Sequence, residues 1–97
     1  MTHTVSFHPA ALAEVEDVEA WYAAERVELA DAFVADLEAT VSRVAGNPLA
    51  FAERSPGVRQ AQLRRFPYLL VFRLRDEGVE VVAVAHGHRA PRYWRDR

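Results

Sequence analysis

Ten consecutive residues late in the sequence, His86-Gly87-His88-Arg89-Ala90-Pro91-Arg92-Tyr93-Trp94-Arg95, gather two imidazoles, three guanidiniums and two aromatic rings. On an extended backbone, residues two apart share a face, so His86 and His88 would lie side by side. Imidazoles titrate near neutrality and can serve as general acid and base. Cleavage of a phosphodiester by its own 2′-hydroxyl needs such groups together with cations on the phosphate, and Arg59, Arg65, Arg73 and Arg89 could supply them. The same histidine pair could begin a metal site, but no nearby acid or thiol offers a third ligand, and no metal or cofactor is expected. Structural readings stand beside the chemical ones. A histidine at a strand end is often held by hydrogen bonds, Trp94 could cover the sheet or the core, and Tyr68 and Phe72 suit a core or a groove wall. Strand arginines could pair with acidic helices or an acidic partner rather than with nucleic acid. Ser6, Ser42 and Ser55 lack the setting of a nucleophile elbow or triad.

Charge is segregated along the 97 residues. Residues 1–50 hold two arginines against nine acids, a net −7, and residues 51–97 hold ten arginines against five acids, a net +5. Every basic residue is arginine, whose planar fork grips phosphate or carboxylate in a bidentate way. Cysteine is absent, which excludes disulfides, thiolate zinc sites and cysteine nucleophiles together. With 51% hydrophobic and 27% charged residues the composition is globular, and the length suits one domain over 1–97. No stretch approaches the ~18 apolar residues of a membrane span, and the opening residues lack signal-peptide order, so a soluble, cytoplasmic protein without membrane contact is expected.

The elements that must position these groups follow from periodicity. Thr4 to Phe7 alternates like a strand, and Pro9 opens a helix in which Leu12, Val15, Val18 and Tyr22 recur at three- and four-residue steps opposite an acidic face. A second stripe, Ala30, Phe33, Val34, Leu37, Val41 and Val44, ends at Gly46-Asn47-Pro48. One unbroken helix from Pro9 to Ala45 would be about 55 Å long, against an expected radius of gyration of about 13 Å, so a break is predicted between Ala24 and Glu28. Three strands follow, Val58 to Arg64, Tyr68 to Arg75 and Val79 to His86, with Asp76-Glu77-Gly78 as the hairpin turn. The expected fold is α+β, in the order β-α-α-β-β-β, with a helical hairpin packed on a mainly antiparallel sheet. In the last strand, simple alternation sends Glu80, Val82, Val84, His86 and His88 one way and Val79, Val81, Ala83 and Ala85 the other. Both sets carry apolar residues, so the helices cover one face and another element or a partner covers the second.

Phe7-His8-Pro9-Ala10 opening a helix, Trp21-Tyr22 near its end, Leu29-Ala30 and Phe33 in the next, Asn47-Pro48, Val58-Arg59, Arg65-Phe66-Pro67-Tyr68, and the closing His86, Arg89, Pro91 and Tyr93-Trp94 follow one another in an order that resembles the RelE/ParE family of bacterial toxins. The resemblance spans essentially the whole chain and agrees with the β-α-α-β-β-β reading. It implies the toxin of a type II toxin–antitoxin module, of the kind also called plasmid stabilisation proteins, which inhibits growth until a cognate antitoxin wraps it. An acidic, amphipathic antitoxin segment lying on the sheet would suit the arginine-rich half.

The resemblance also implies two targets. ParE-like members poison DNA gyrase, and RelE-like members cleave ribosome-bound messenger RNA. Ribonuclease members commonly carry an arginine just after the aromatic residue that begins the central strand, whereas here Tyr68 is followed by Leu69. Their later basic position falls on or near His88, and the following aromatic on Tyr93 or Trp94. The expectation is therefore a gyrase inhibitor, with the endoribonuclease as alternative. On the alternative, His86, His88, Arg65, Arg89 and Tyr93 form the catalytic set. Arg59, Arg64, Arg73, Arg92 and Trp94 are expected to hold nucleic acid or a protein partner.

Overall fold

His8 follows the first strand and caps the first helix. Its Nδ1 accepts a 3.0 Å bond from the Ala10 N–H, and Pro9 fills the first helical position, where no N–H is needed. The computed structural model describes residues 2–76, 78–87 and 92–97. Along them run β1 (Thr4–Phe7), α1 (Pro9–Glu25), α2 (Val27–Gly46), a 3₁₀ turn (Pro48–Ala50), β2 (Glu53–Ser55), β3 (Val58–Gln62), β4 (Tyr68–Arg75) and β5 (Gly78–His86).

The two helices are separated by one residue. Arg26 is fully extended (φ −161°, ψ 138°); its N–H closes α1 on Tyr22 O at 2.9 Å, and its carbonyl accepts from Leu29 and Ala30 to open α2. This break lies inside the predicted window, and the radius of gyration of the molecule is 12.9 Å.

The sheet order is β1-β5-β4-β3-β2, with β1 parallel to β5 and every other pair antiparallel. The backbones of β1 and β5 meet closely at Gly78, where a Cβ would stand 2.9 Å from Thr4 O. Two boundaries differ from expectation. Glu53–Ser55 adds a fifth, short edge strand around the Pro56-Gly57 turn, in which Gly57 takes φ 77°. The strand predicted from Val58 to Arg64 stops at Gln62, because the next backbone amides turn to a buried carboxylate on α2.

Alternation in β5 also fails at one residue. Val71 pairs with Ala83 and Phe72 with Val81, so Val82 is an extra residue in a β-bulge. The bulge reverses every side chain beyond it. Val84 joins Val79 and Val81 in the core under the helices, while Val82 and Ala83 pack with Val71 and Trp94 on the opposite face. The main core is centred on Phe33, Leu37 and Val44 of α2 and Leu70, Phe72 and Val81 of the sheet. Tyr22, Phe33, Phe66 and Tyr68 meet edge-on within it, an arrangement favoured by the ring quadrupoles.

Part of the second face is covered by the chain's own residues 92–97. Trp94 is 8% exposed, seated on Val71, Val82 and Ala83. Arg97 ties this segment to α1: its Nη1 donates to Glu14 Oε1 at 2.9 Å and to Val82 O at 3.0 Å, and its guanidinium lies 5.2 Å from the Tyr93 ring centroid. The Glu14 carboxylate, which also accepts from Val84 N–H at 3.0 Å, raises the Arg97 pKa above its ordinary value.

Candidate functional site

The second face of the sheet carries a basic trough divided by Trp94. One recess, about 410 Å³, has Leu69, Val71 and Ala85 as its apolar floor. Gln60 of β3, Arg54 and Ser55 of β2, His86 and Gly87 at the end of β5, and Arg92 and Tyr93 complete its lining. The second, about 340 Å³, lies between Ser55, Pro56 and Val58 on one side and Arg73, Val82, Arg92 and Arg95 on the other. None of the described residues lining either recess is acidic. An apolar floor rimmed by guanidiniums can seat a segment with apolar anchors and carboxylates, or a phosphate backbone.

Local structure explains the rim. Arg54 is brought alongside Gln60 and Leu69 by the β2–β3 hairpin, in which Glu53 accepts from Gly57 N–H at 2.5 Å. Arg92 adopts φ 66°, a left-handed conformation unusual for a residue with a Cβ, and its position contributes to both recesses. Arg73 is held across the strand pair by Glu80 at 2.8 Å, and Arg75 shares the same carboxylate oxygen at 3.2 Å.

The predicted site residues are dispersed. His86 and Tyr93 both line the larger recess. His86 sits half-buried opposite Tyr68, their ring centroids 5.3 Å apart. His88 and Arg89 lie outside the described residues, so the proposed histidine pair has no described geometry. Arg64 and Arg65 line neither recess: they stand exposed on the β3–β4 loop, which meets the end of β5 through a 2.9 Å bond from Gly87 N–H to Pro67 O. Arg59 is engaged inside the protein, donating to Phe51 O at 2.6 Å and approaching Glu53 at 3.8 Å. Arg73 and Arg92 do line the trough, and Trp94 is the partition between its recesses rather than an exposed contact.

Sequence reasoning passes over Arg54, Gln60 and Asp36. The first two could be found from the Ser55-Pro56-Gly57 turn, which folds Arg54 back on the next strand. Asp36 gives a weaker signal, an acid on the apolar stripe of α2 between Phe33 and Leu37. It is 6% exposed and accepts from the backbone N–H groups of Arg64, Arg65 and Phe66 at 3.1, 2.7 and 3.1 Å. The adjoining turn of α2 completes the anchorage: Thr40 Oγ1 donates to Asp36 O at 2.8 Å, and Arg43 Nη2 donates to Thr40 Oγ1 and to Gln62 O, each at 3.1 Å.

A helical hairpin on one face of a five-stranded, mostly antiparallel sheet, with an arginine-rimmed trough on the other, defines a small α+β protein. Residues 5–91 match the family model of the ParE toxin of type II toxin–antitoxin systems, parDE, and the chain belongs to that family. Among solved structures, a chain of the chromosomal ParDE toxin–antitoxin system from P. aeruginosa superimposes with a TM-score of 0.76 at 20% identity, covering 88% of this chain and 96% of that one. The E. coli toxin RelE, as a double-arginine mutant in the free state, gives a TM-score of 0.65 at 22% identity, over 91% of this chain and 86% of its own. No curated protein sequence matches at a significant level. Both structural neighbours share the fold, and no helix among the described residues is long and apolar enough to cross a membrane.

Proposed function

We propose that this ParE-family toxin acts in the cytoplasm by binding and inhibiting DNA gyrase, and that a cognate antitoxin neutralises it by laying an acidic, amphipathic segment in the basic trough. The observation that carries the reading is the place of Leu69: it forms the apolar floor of the larger recess, at the position where ribonuclease members of the resembled family commonly present an arginine. A phosphate in transit to a cyclic product needs cations at the reacting centre, whereas an apolar floor inside a guanidinium rim suits docking of a protein segment.

The test is to add the purified chain to gyrase and follow supercoiling, and in parallel to induce it in bacteria without antitoxin and map messenger RNA 5′ ends. Loss of supercoiling with unchanged 5′ ends is expected. New ends that vanish when translation is blocked, with supercoiling intact, would overturn the proposal in favour of a ribosome-dependent endoribonuclease. His86, half-buried in the same recess, is the observation that favours that second reading and the residue on which it would be dissected.

A further inference from the structure

A further recess, on the helical side of the sheet end, is lined by an acid and aromatic rings and by no arginine. It measures about 390 Å³ and is lined by Asp17, Val18, Trp21 and Tyr22 of α1, Tyr68 at the start of β4 and His86 at the end of β5. Trp21 is 62% exposed, a large aromatic surface left in water. Its ring meets Tyr22 edge-on at 5.0 Å, Tyr22 meets Tyr68 at 6.4 Å and 78°, and Tyr68 meets His86 at 5.3 Å and 83°. Four rings therefore run in succession around one opening.

We infer that this recess is a cage for a guanidinium, and that it takes an arginine side chain presented by a protein partner. Three features point to that occupant. The electron-rich faces of tryptophan and tyrosine attract a cation within about 6 Å of the ring centroid. Asp17, in the lining, is exposed and has no ion-pair partner among the described residues, so its carboxylate is available to complete the contact. With Glu14 paired to Arg97, α1 still carries Glu16, Asp17, Glu19 and Glu25 and no basic residue, so its exposed surface is acidic. Arginine is favoured over lysine because a flat guanidinium stacks on a flat ring while its edge forks onto a carboxylate. The cage shares His86 with the basic trough but is otherwise lined by different residues, and it does not depend on the gyrase reading.

The test uses the intact chain labelled with 15N and titrated with N-acetyl-arginine methylamide to 100 mM at constant ionic strength. A saturable shift of the Trp21 indole N–H is expected, with the buried Trp94 indole unmoved. The neutral isostere N-acetyl-citrulline methylamide should leave both unmoved. Asp17→Asn should weaken the arginine compound by about fivefold and Trp21→Ala should remove the saturable response at the neighbouring amides. Glu25→Gln, on the same helix but outside the recess, should leave the titration unchanged. Both Asp17 and Trp21 are exposed, so the variants retain the fold. Absence of a saturable shift, equal shifts with citrulline, or shifts spread evenly along α1 would overturn the assignment. Tighter binding of methylammonium than of the arginine compound would overturn the choice of guanidinium.

Discussion

The shortest bond of the β3–β4 loop joins two residues that sequence separates by 29 positions: the Arg65 backbone N–H donates to Asp36 Oδ2 at 2.7 Å. The same oxygen takes Phe66 N–H and its twin takes Arg64 N–H, so one buried carboxylate orders three consecutive amides. Hydrogen bonds to a charged group contribute about 1.5–3 kcal/mol each, and an amide left unpaired in a buried setting costs about 1–3 kcal/mol. Asp36→Asn replaces one acceptor oxygen with an N–H₂ that faces donors. We expect it to lower stability by about 2–4 kcal/mol. In a chain of this size that is roughly 10–25 °C in Tm, read by thermal or urea unfolding. A loss below about 0.5 kcal/mol would show that the loop is held by other contacts.

The Glu14–Arg97 pair makes a separate prediction. With side chains 17% and 20% exposed and the guanidinium also donating to Val82 O, the contact is better shielded than a surface ion pair. Arg97→Ala should cost about 1–2 kcal/mol and loosen residues 92–97 from the sheet. The readout is tryptophan emission. Trp21 already faces water, so a red shift on substitution reports Trp94 leaving its site on Val71, Val82 and Ala83. Unchanged emission would show that Trp94 alone holds the segment.

How far the fold could be read in the sequence is seen best at three places. The break between the helices has no glycine or proline, yet chain dimensions place it within two residues of Arg26, because an unbroken rod would exceed the molecule. The face of His86 was not legible by counting, since alternation assumes a regular ladder and the extra residue at Val82 carries no glycine or other mark of a bulge. Asp36 reads as one more acid of an acidic half; only the fold brings residues 64–66 to it. The trough is legible in part: the arginine-rich half and the tail supply Arg73, Arg92 and Tyr93, whereas Arg54 and Gln60 reach it through a strand too short to show a period.

Arg92 separates conformation from function. At φ 66° its Cβ costs roughly 1 kcal/mol relative to glycine, and its side chain is exposed at the junction of the two recesses. Arg92→Gly should therefore retain or raise thermal stability while weakening both target inhibition and antitoxin binding by about fivefold or more. Arg54→Ala, on the facing wall, should weaken binding similarly with stability within about 0.5 kcal/mol of the parent. Full inhibition by the Arg54→Ala, Arg92→Gly double variant would place the docking surface elsewhere.

The Tyr68 phenol couples the stability of the fold to alkaline pH. Burial in the sheet end raises its pKa above the ordinary value of 10.0, and the neighbouring Tyr22 hydroxyl adds to the shift by charge repulsion and hydrogen bonding. A raised pKa means that, between the unfolded and folded values, the native state holds a proton the unfolded chain has released. The contribution is thus complete below about pH 10 and is lost as pH climbs through the folded value. Tyr68→Phe removes the titration. Its melting temperature should fall less steeply than that of the parent as pH rises above 10, while the two curves run parallel between pH 7 and 9. Absorbance at 295 nm should show one fewer late-titrating phenolate in the variant. Parallel curves at alkaline pH would assign the loss of stability there to other groups.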